Sequence, residues 1–237
     1  DFAASGFAAS GFAGSAFAAS AGAAASAAFS GAAGLIGAGI VRDLVSDQAI
    51  VPIETIRVAD ASRPGIGRLL SEVQDPRLEP VNFDASHPLR LAAAVSDVDI
   101  VISALPTLLG MQMAIFEACL EAQVPYTDLG GLAAVTLRQK EMHERFRAAG
   151  VYAVVGTGAD PGMTNMMCRA AADQLDTVEA IDLYAATEIV GPENPVLVPP
   201  YTLATILTEY AAPSAQFIDG RQQECPPLSG EEMLDLP

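Results

Sequence analysis

Residues 31–37 read GAAGLIG, three glycines at GxxGxxG spacing that lead directly into a helical pattern. Glycines in such a turn let the backbone approach a pyrophosphate, and the helix N-terminus adds free N–H groups and roughly half a positive charge. The third glycine, Gly37, would let the helix pack closely on the strands. The motif predicts a dinucleotide-binding turn; the alternative is a glycine-rich helix entry without a ligand. The helix is indicated by apolar residues on one face: Ile36, Ile40, Val41, Leu44 and Val45.

Asp60 lies 23 residues after Gly37, at the end of a predicted strand, residues 55–60 (TIRVAD). A carboxylate in this position accepts hydrogen bonds from the adenosine ribose hydroxyls and repels a 2′-phosphate. We therefore expect NAD as the cofactor, with NADP less favoured, although Arg63 would soften that preference. The other interpretation of Asp60 is an ordinary turn residue at the end of a strand.

Short apolar strands alternate with helices from residue 31 onward. The clearest strand is DIVISA, residues 99–104, a β-branched run without polar alternation. Further strands are predicted at 79–84, 124–129 and 151–156, and helices at 86–96, 110–121 and 134–149. The alternation predicts an α/β fold, a Rossmann-type doubly wound parallel sheet.

Three regions are expected along the chain. Residues 1–30 form a low-complexity segment of Phe, Ala, Ser and Gly after Asp1, so the strand before the glycines reads AAFS where Val, Ile or Leu is usual. Residues 31–160 form the dinucleotide-binding Rossmann domain. Residues 161–237 form a partial α+β substrate or catalytic domain, with helices at 162–175 and 202–210, a strand at 178–185 and a hairpin around Asp219-Gly220.

Composition limits the classes of function. The 29 acidic and 12 basic residues give a net charge of −17, which argues against a nucleic-acid partner. The two histidines, His87 and His143, and three widely spaced cysteines provide no ligand-like pattern, so no metal site is expected. Reduced, mostly buried thiols fit a cytoplasmic protein. Ala, Gly and Ser drive membrane insertion weakly, so no membrane partner is expected.

Two other motifs follow predicted strands, whose carboxyl ends meet at one edge of a parallel sheet and line the ligand crevice. Residues 104–106 (ALP) would pass beneath the dinucleotide. Asp128 would stand near the nicotinamide, able to hold a substrate ammonium group or to move a proton. A helix-capping aspartate is the equally open alternative.

The stretch GTGADPGMTN, residues 156–165, has glycines and a proline that fix a tight path into a helix. Asn165 lies in the first turn of that helix and can reach either ligand. The alternative for this stretch is a structural loop between domains.

The ordered motifs GAAGLIG, DIVISALP, YTDLGG and GADPGMTN resemble the saccharopine dehydrogenase family, nearest to its lysine 6-dehydrogenase-like members, over residues 31–229. The resemblance implies nicotinamide-dependent oxidation or reduction of a carbon–nitrogen bond. Family members are usually longer, so the second domain is expected to be shortened. The implied cofactor-binding residues are Gly31, Gly34, Leu35, Ile36, Gly37, Asp60, Ala104, Leu105 and Pro106. The implied catalytic residues are Asp128 and Asn165, and the implied substrate-binding residues are Asp128, Gly130, Pro161, Gly162 and Asn165.

The leading hypothesis is an NAD(P)-dependent oxidoreductase that acts on an amino acid or on its imine, working as a homodimer. An NmrA-like extended short-chain reductase is an alternative, since such proteins also use GxxGxxG, but the YxxxK pair of catalytic short-chain reductases does not occur in the sequence. A nucleotide-sensing or interaction module, or an inactive fragment, is the other alternative, and the shortened second domain favours it.

Overall fold

The computed structural model describes residues 25–46, 52–83, 88–184, 203–230 and 232–233. The described residues fall into two compact units, one up to Ile181 and the other from Asp182 onward. Within these ranges no helix is both long enough and apolar enough to cross a membrane.

Six parallel strands form the sheet of the first unit, and their order is β3-β2-β1-β4-β5-β6. The chain thus builds outward from β1 in one direction and then returns to β4 to build in the other, which confirms the Rossmann-type doubly wound fold. The strands are β1 Ala25–Ser30, β2 Ile53–Asp60, β3 Leu78–Asn82, β4 Ile100–Ser103, β5 Tyr126–Asp128 and β6 Ala153–Val154.

Seven helices belong to the same unit within the described ranges: α1 Leu35–Val45, α2 Arg63–Val73, α3 Pro88–Val95, α4 Gln112–Ala122, α5 Ala133–Glu141, α6 His143–Ala149 and α7 Met163–Ala172. The apolar pattern did not predict α2, which begins at the N-cap Ser62 with a proline in its first turn. The single helix predicted over 134–149 is two helices, because the chain breaks at Met142 (φ −85°, ψ 5°). Gly150 ends α6 in the left-handed conformation, which agrees with the predicted helix end at residue 149.

The first strand, ASAAFS, consists of small residues apart from Phe29 and still lies in the interior of the sheet. It pairs with β2 on one side and with β4 on the other. Ala27 and Ala28 are buried. Backbone ladders on both sides therefore stabilise the strand.

Apolar side chains form two buried clusters. One contains Val41 of α1 packed with Ile56 and Val58 of β2. The other is centred on Phe116 of α4, whose ring lies 5.1 Å from that of Tyr126 and 4.4 Å from that of Phe146, measured between centroids. Aromatic pairs at these separations add to the free energy of burial, and they attach α4 and α6 to the sheet beside β5.

The second unit contains helix α8, Leu203–Ala211, and a hairpin of β7, Ser214–Ile218, with β8, Arg221–Cys225. Asp219 and Gly220 have φ of 53° and 74°, as a two-residue hairpin turn requires, and the predicted hairpin is confirmed. The strand predicted over 178–185 is wrong for 178–184, which are exposed and contain no strand. Position 185 lies outside the described residues.

Burial raises the pKa of the Cys119 thiol to about 12, whereas Cys168 and Cys225 are half-buried. Since the thiolate is the reactive form, we expect a thiol reagent at about pH 8 to modify Cys168 and Cys225 of the native protein and to spare Cys119. Peptide mass spectrometry checks the sites, and the unfolded protein, in which all 3 cysteines should react, is the control. Equal labelling of Cys119 and Cys168 in the native state would contradict the burial of α4.

Candidate dinucleotide and substrate site

The glycine-rich turn connects β1 to α1. Gly31 has φ +77°, and Gly34 stands at the N-cap of the helix. No side chain among the described residues caps α1, and the side chains of Leu35 and Ile36 in its first turn are exposed. The first N–H groups of the helix are therefore left for a ligand, and an anion suits them.

The three glycines of the motif serve two purposes. A Cβ on Gly37 would stand 2.1 Å from the carbonyl oxygen of Gly31, and a Cβ on Gly31 would stand 2.9 Å from the carbonyl carbon and oxygen of Ala104. A Cβ on Gly34 would meet only the Gly31 oxygen, at 3.2 Å, among the described atoms. Gly31 and Gly37 thus serve backbone packing, while Gly34 leaves open the space where a pyrophosphate would lie.

Asp60 ends β2 and accepts hydrogen bonds from two loops. Its Oδ2 accepts a hydrogen bond from the N–H of Ala33 at 3.0 Å, and its Oδ1 accepts one from the N–H of Ser62 at 2.8 Å. The carboxylate is half-buried. Asp60 therefore lies beside the glycine turn, within reach of a ribose bound against that turn.

The turn after β4 adjoins the glycine turn on its other side. The N–H of Ala104 donates to the carbonyl of Ser30 at 2.9 Å, Leu105 is half-buried and Pro106 is exposed. A short 3₁₀ helix, Thr107–Leu109, follows. The structure thus places Ala104 and Leu105 against the start of the β1–α1 turn. The predicted contact of residues 104–106 with a dinucleotide stays a prediction.

Asp128 ends β5 and is fully buried, with 0% of its surface exposed. Its Oδ1 accepts from the N–H groups of Gly130 and Gly156, both at 2.9 Å. Its Oδ2 accepts from the Tyr126 hydroxyl at 2.9 Å and from Nε2 of Gln139 at 2.7 Å. The predicted contact of Asp128 with a substrate amine or proton stays a prediction; these four donors favour an internal role.

The loop from Gly156 to Gly162 lies against the loop after β5. Thr157 donates to the carbonyl of Asp128 through its N–H at 2.8 Å and through its hydroxyl at 2.7 Å. A Cβ on Gly130 would stand 2.7 Å from Pro161 Cγ and 2.9 Å from the Cα of Gly156. These glycines are needed because two loops pass at backbone contact.

Asn165 lies in the first turn of α7, where its Oδ1 accepts from the N–H of Gly162 at 2.9 Å. The side chain is exposed and borders a cavity of about 580 Å³ whose lining is entirely uncharged. The remaining lining residues are Thr136, Val154, Val155, Gly156, Thr157, Gly158, Pro161, Gly162, Met163 and Met166. Asn165 therefore fixes the turn into α7 and also faces space that a ligand can enter; its predicted catalytic role stays a prediction.

The predicted site residues lie along one edge of the sheet, in the order of the strands that carry them: Asp60, the glycine turn, residues 104–106, Asp128 and the loop with Asn165. Sequence reasoning missed Thr107, Tyr126 and Gln139. The Thr107 hydroxyl donates to the carbonyl of Gly130 at 2.9 Å, which joins the β4 and β5 loops. Tyr126 and Asp128 are two residues apart in one strand and so share a face, which the sequence alone indicates. No pattern in the sequence indicates that Gln139 contacts Asp128.

Tyr126 stays a neutral hydrogen-bond donor. Burial, and then the charge and the hydrogen bond of Asp128, raise the pKa of its hydroxyl far above the ordinary value, against smaller opposite effects of Ser103 and Gln112. The tyrosine therefore supports Asp128 and is no phenolate base. Among the described residues, no group of three His, Cys, Asp or Glu side chains is placed to hold a metal ion.

Comparison with known proteins gives one family match. Residues 29–154 match the family model described as saccharopine dehydrogenase NADP binding domain. The matched residues include the glycine turn, Asp60, residues 104–106 and Asp128. They therefore cover all the predicted cofactor-binding residues.

Individual relatives agree with that match. The chain is 28% identical over 125 residues to carboxynorspermidine synthase of Vibrio cholerae serotype O1, covering 46% of this chain and 30% of the relative. It is 23% identical over 218 residues to carboxyaminopropylagmatine dehydrogenase of Synechocystis sp., covering 86% and 53%. The apo saccharopine dehydrogenase (L-Glu forming) of Saccharomyces cerevisiae has the same fold, with a TM-score of 0.51 and 17% identity over 63% of this chain and 31% of that one. The chain thus spans about a third to a half of these relatives.

Replacing Gly37 with alanine tests the packing of the glycine turn. We expect Gly37→Ala to lose about 1–3 kcal/mol or more of unfolding free energy, since the new methyl overlaps the Gly31 carbonyl, and to weaken dinucleotide binding at least ~10-fold because the turn must move. Chemical denaturation and calorimetric titration measure the two effects. Gly39→Ala is the matched control on the same helix: a Cβ there meets nothing among the described atoms, so stability should rise by about 0.5–1 kcal/mol. Equal behaviour of the two variants would contradict this close approach.

Proposed function

The chain belongs to the saccharopine dehydrogenase NADP binding domain family, and from that premise we propose that it is a nicotinamide-dependent oxidoreductase acting on a carbon–nitrogen bond. The observation that carries the proposal is the uncapped start of α1 behind Gly34, with Asp60 directly beside it. The helix start would bind the pyrophosphate, and Asp60 would accept hydrogen bonds from the ribose hydroxyls.

The residues fit a dinucleotide along the edge of the sheet. Gly31, Gly34 and the N–H groups of Leu35 and Ile36 would hold the pyrophosphate. Ala104, Leu105 and Pro106, which continue from the glycine turn, would border the nicotinamide half. A bound nicotinamide supplies the hydride acceptor or donor, and the protein supplies its orientation.

We propose NAD as the preferred nucleotide, with NADP second. The Asp60 carboxylate is held in place by Ala33 and Ser62 and would repel a 2′-phosphate. Two observations weigh on the other side: the matching family is described as NADP-binding, and Arg63 is exposed at the start of α2. Direct comparison of the two nucleotides is therefore the first experiment on this site.

For the substrate, we propose an amino acid, an amine derived from one, or the corresponding imine. The uncharged cavity beside Asn165 suits a methylene chain, and the net charge of −17 attracts cationic amines. The named relatives point to the same chemical class, since carboxynorspermidine and carboxyaminopropylagmatine are by name amines that carry a carboxyl group. In the oxidative direction, an amine CH–NH group would lose a hydride to the nicotinamide and a proton to solvent, leaving an imine.

Titration calorimetry with NAD and NADP tests the nucleotide preference. We expect NAD to bind at least ~10-fold more tightly, about 1.4 kcal/mol. Asp60→Asn should weaken NAD binding ~10-fold and bring the two affinities together, since hydrogen bonds to a charged acceptor contribute about 1.5–3 kcal/mol. Asp43→Asn, which removes the same charge on the exposed side of α1, should change neither. Tighter binding of NADP to the native protein would reverse the proposal.

Turnover is tested by nicotinamide absorbance with L-lysine, saccharopine, carboxynorspermidine and carboxyaminopropylagmatine, and with their imine precursors in the reductive direction. We expect at least one pair to give steady reduction or oxidation of the nucleotide. Nucleotide binding with no turnover of any of them would support instead the interpretation as a nucleotide-sensing or interaction module. Binding of neither nucleotide would exclude both functions for this chain.

A further inference from the structure

We propose that Gln139 and Tyr126 are positioning residues that act through Asp128 to hold together the two loops at the substrate end of the crevice. The effect on turnover rests on the proposed function, whereas the effect on the loops does not. Neither residue belongs to a site predicted from the sequence, and both lie beneath the surface that a ligand would touch.

The two oxygens of the Asp128 carboxylate have separate partners. Oδ1 accepts the N–H groups of Gly130 and Gly156, one from each loop. Among the described residues, the donors to Oδ2 are two side chains, the hydroxyl of Tyr126 and Nε2 of Gln139. The donors on Oδ2 therefore set the orientation of the carboxylate, and Oδ1 transmits that orientation to the backbone of both loops.

Burial prevents solvent from replacing the hydrogen bonds to Asp128. Tyr126, Asp128 and Gln139 are 1%, 0% and 3% exposed, so water does not replace a missing donor without entering the core. Hydrogen bonds to a charged acceptor in such surroundings are stronger than those on the surface. Loss of either donor leaves one side of the carboxylate underbonded, and the group turns or draws in water.

Gln139 has little other reason to be buried. Its Oε1 has no hydrogen-bond partner among the described residues, and an amide with one unpaired end costs more to bury than an apolar side chain of the same size. What the amide provides is the 2.7 Å bond to Asp128. Its place in α5 also attaches that helix to the end of β5.

The loops that Asp128 joins border the substrate side. Gly156 lines the 580 Å³ cavity together with Pro161 and Asn165, and Gly130 packs on both Gly156 and Pro161. A turn of the carboxylate therefore shifts the cavity wall. Displacements of about 1 Å can cost ~100-fold in rate. In the sheet order the glycine turn follows β1, two strands from β5, and Asp60 ends β2, three strands from it. Among the described residues, neither is hydrogen-bonded to Tyr126, Asp128 or Gln139.

The experiment uses Tyr126→Phe and Gln139→Leu, which remove the donors but keep the size of each side chain. Amide hydrogen exchange followed by NMR should show Gly130 and Gly156 exchanging at least ~10-fold faster in both variants, because their opening is local. The amides of Ala33 and Ser62, bonded to Asp60, should stay within ~2-fold. Lys140→Gln is the control, being exposed and next to Gln139 in the same helix without a bond to Asp128, and it should change none of these amides.

With a substrate that the native enzyme turns over, both variants should lower kcat/KM by ~10- to 100-fold while the Kd for the nucleotide stays within ~2-fold. The shape of the pH profile should be the same in Tyr126→Phe, Gln139→Leu and Asp128→Asn as in the native enzyme. A profile that loses one limb in Asp128→Asn would make Asp128 a proton carrier and would overturn the positioning role.

Unchanged exchange at Gly130 and Gly156 in both variants would overturn the inference whatever the activity. Because exchange needs neither nucleotide nor turnover, a native protein without activity would count against the proposed function and leave this test intact. Since one donor comes from β5 and the other from α5, a variant that fails to fold still leaves the other to decide the matter.

Discussion

The distance between the first helix and the Gly31 carbonyl is the constraint on which the rest of the site depends. With only 2.1 Å between that oxygen and the position of a Cβ on Gly37, α1 rests on the turn at backbone contact. The helix follows β1, which lies next to β4 at the point where the order of the strands reverses. The same turn meets Ala104 on one side and Asp60 on the other. Close packing thus presents the backbone N–H groups of the helix start, which would bind an anion without a charged side chain.

Two aspartates then organise the edge of the sheet in the same way. Asp60 and Asp128 each end a strand, and each accepts the N–H of the residue two positions later, Ser62 or Gly130. Each also accepts an N–H from a neighbouring loop, that of Ala33 or that of Gly156. A carboxylate suits this task because it has four acceptor sites and no donor that would oppose an amide. Loops on adjacent strands are therefore fixed relative to each other by the strands themselves.

The sequence was sufficient for much of the fold, because periodicity and turn chemistry are local. β-branched runs, Gly150 and the Asp219-Gly220 turn each predicted what the structure contains. Helix α2 escaped the apolar pattern, although Ser62 and the proline after it are N-terminal signals. The strand expected over 178–185 failed in 178–184 because alternation specifies a strand only where a second strand pairs with it. The burial of Asp128 depends on donors 11 and 28 positions away, Gln139 and Gly156, and no local pattern contains that information.

The difference in burial between the two aspartates explains why we propose a ligand contact for one and an internal role for the other. Asp60 is half-buried and accepts the backbone N–H groups of Ala33 and Ser62, so a ligand that lies on the glycine turn can reach it. Asp128 has the same position relative to its strand, but it is fully buried and also accepts the side-chain donors of Tyr126 and Gln139. Position at the carboxyl end of a strand therefore makes a residue a candidate for the site. Burial and the surrounding donors then decide whether a ligand can reach it.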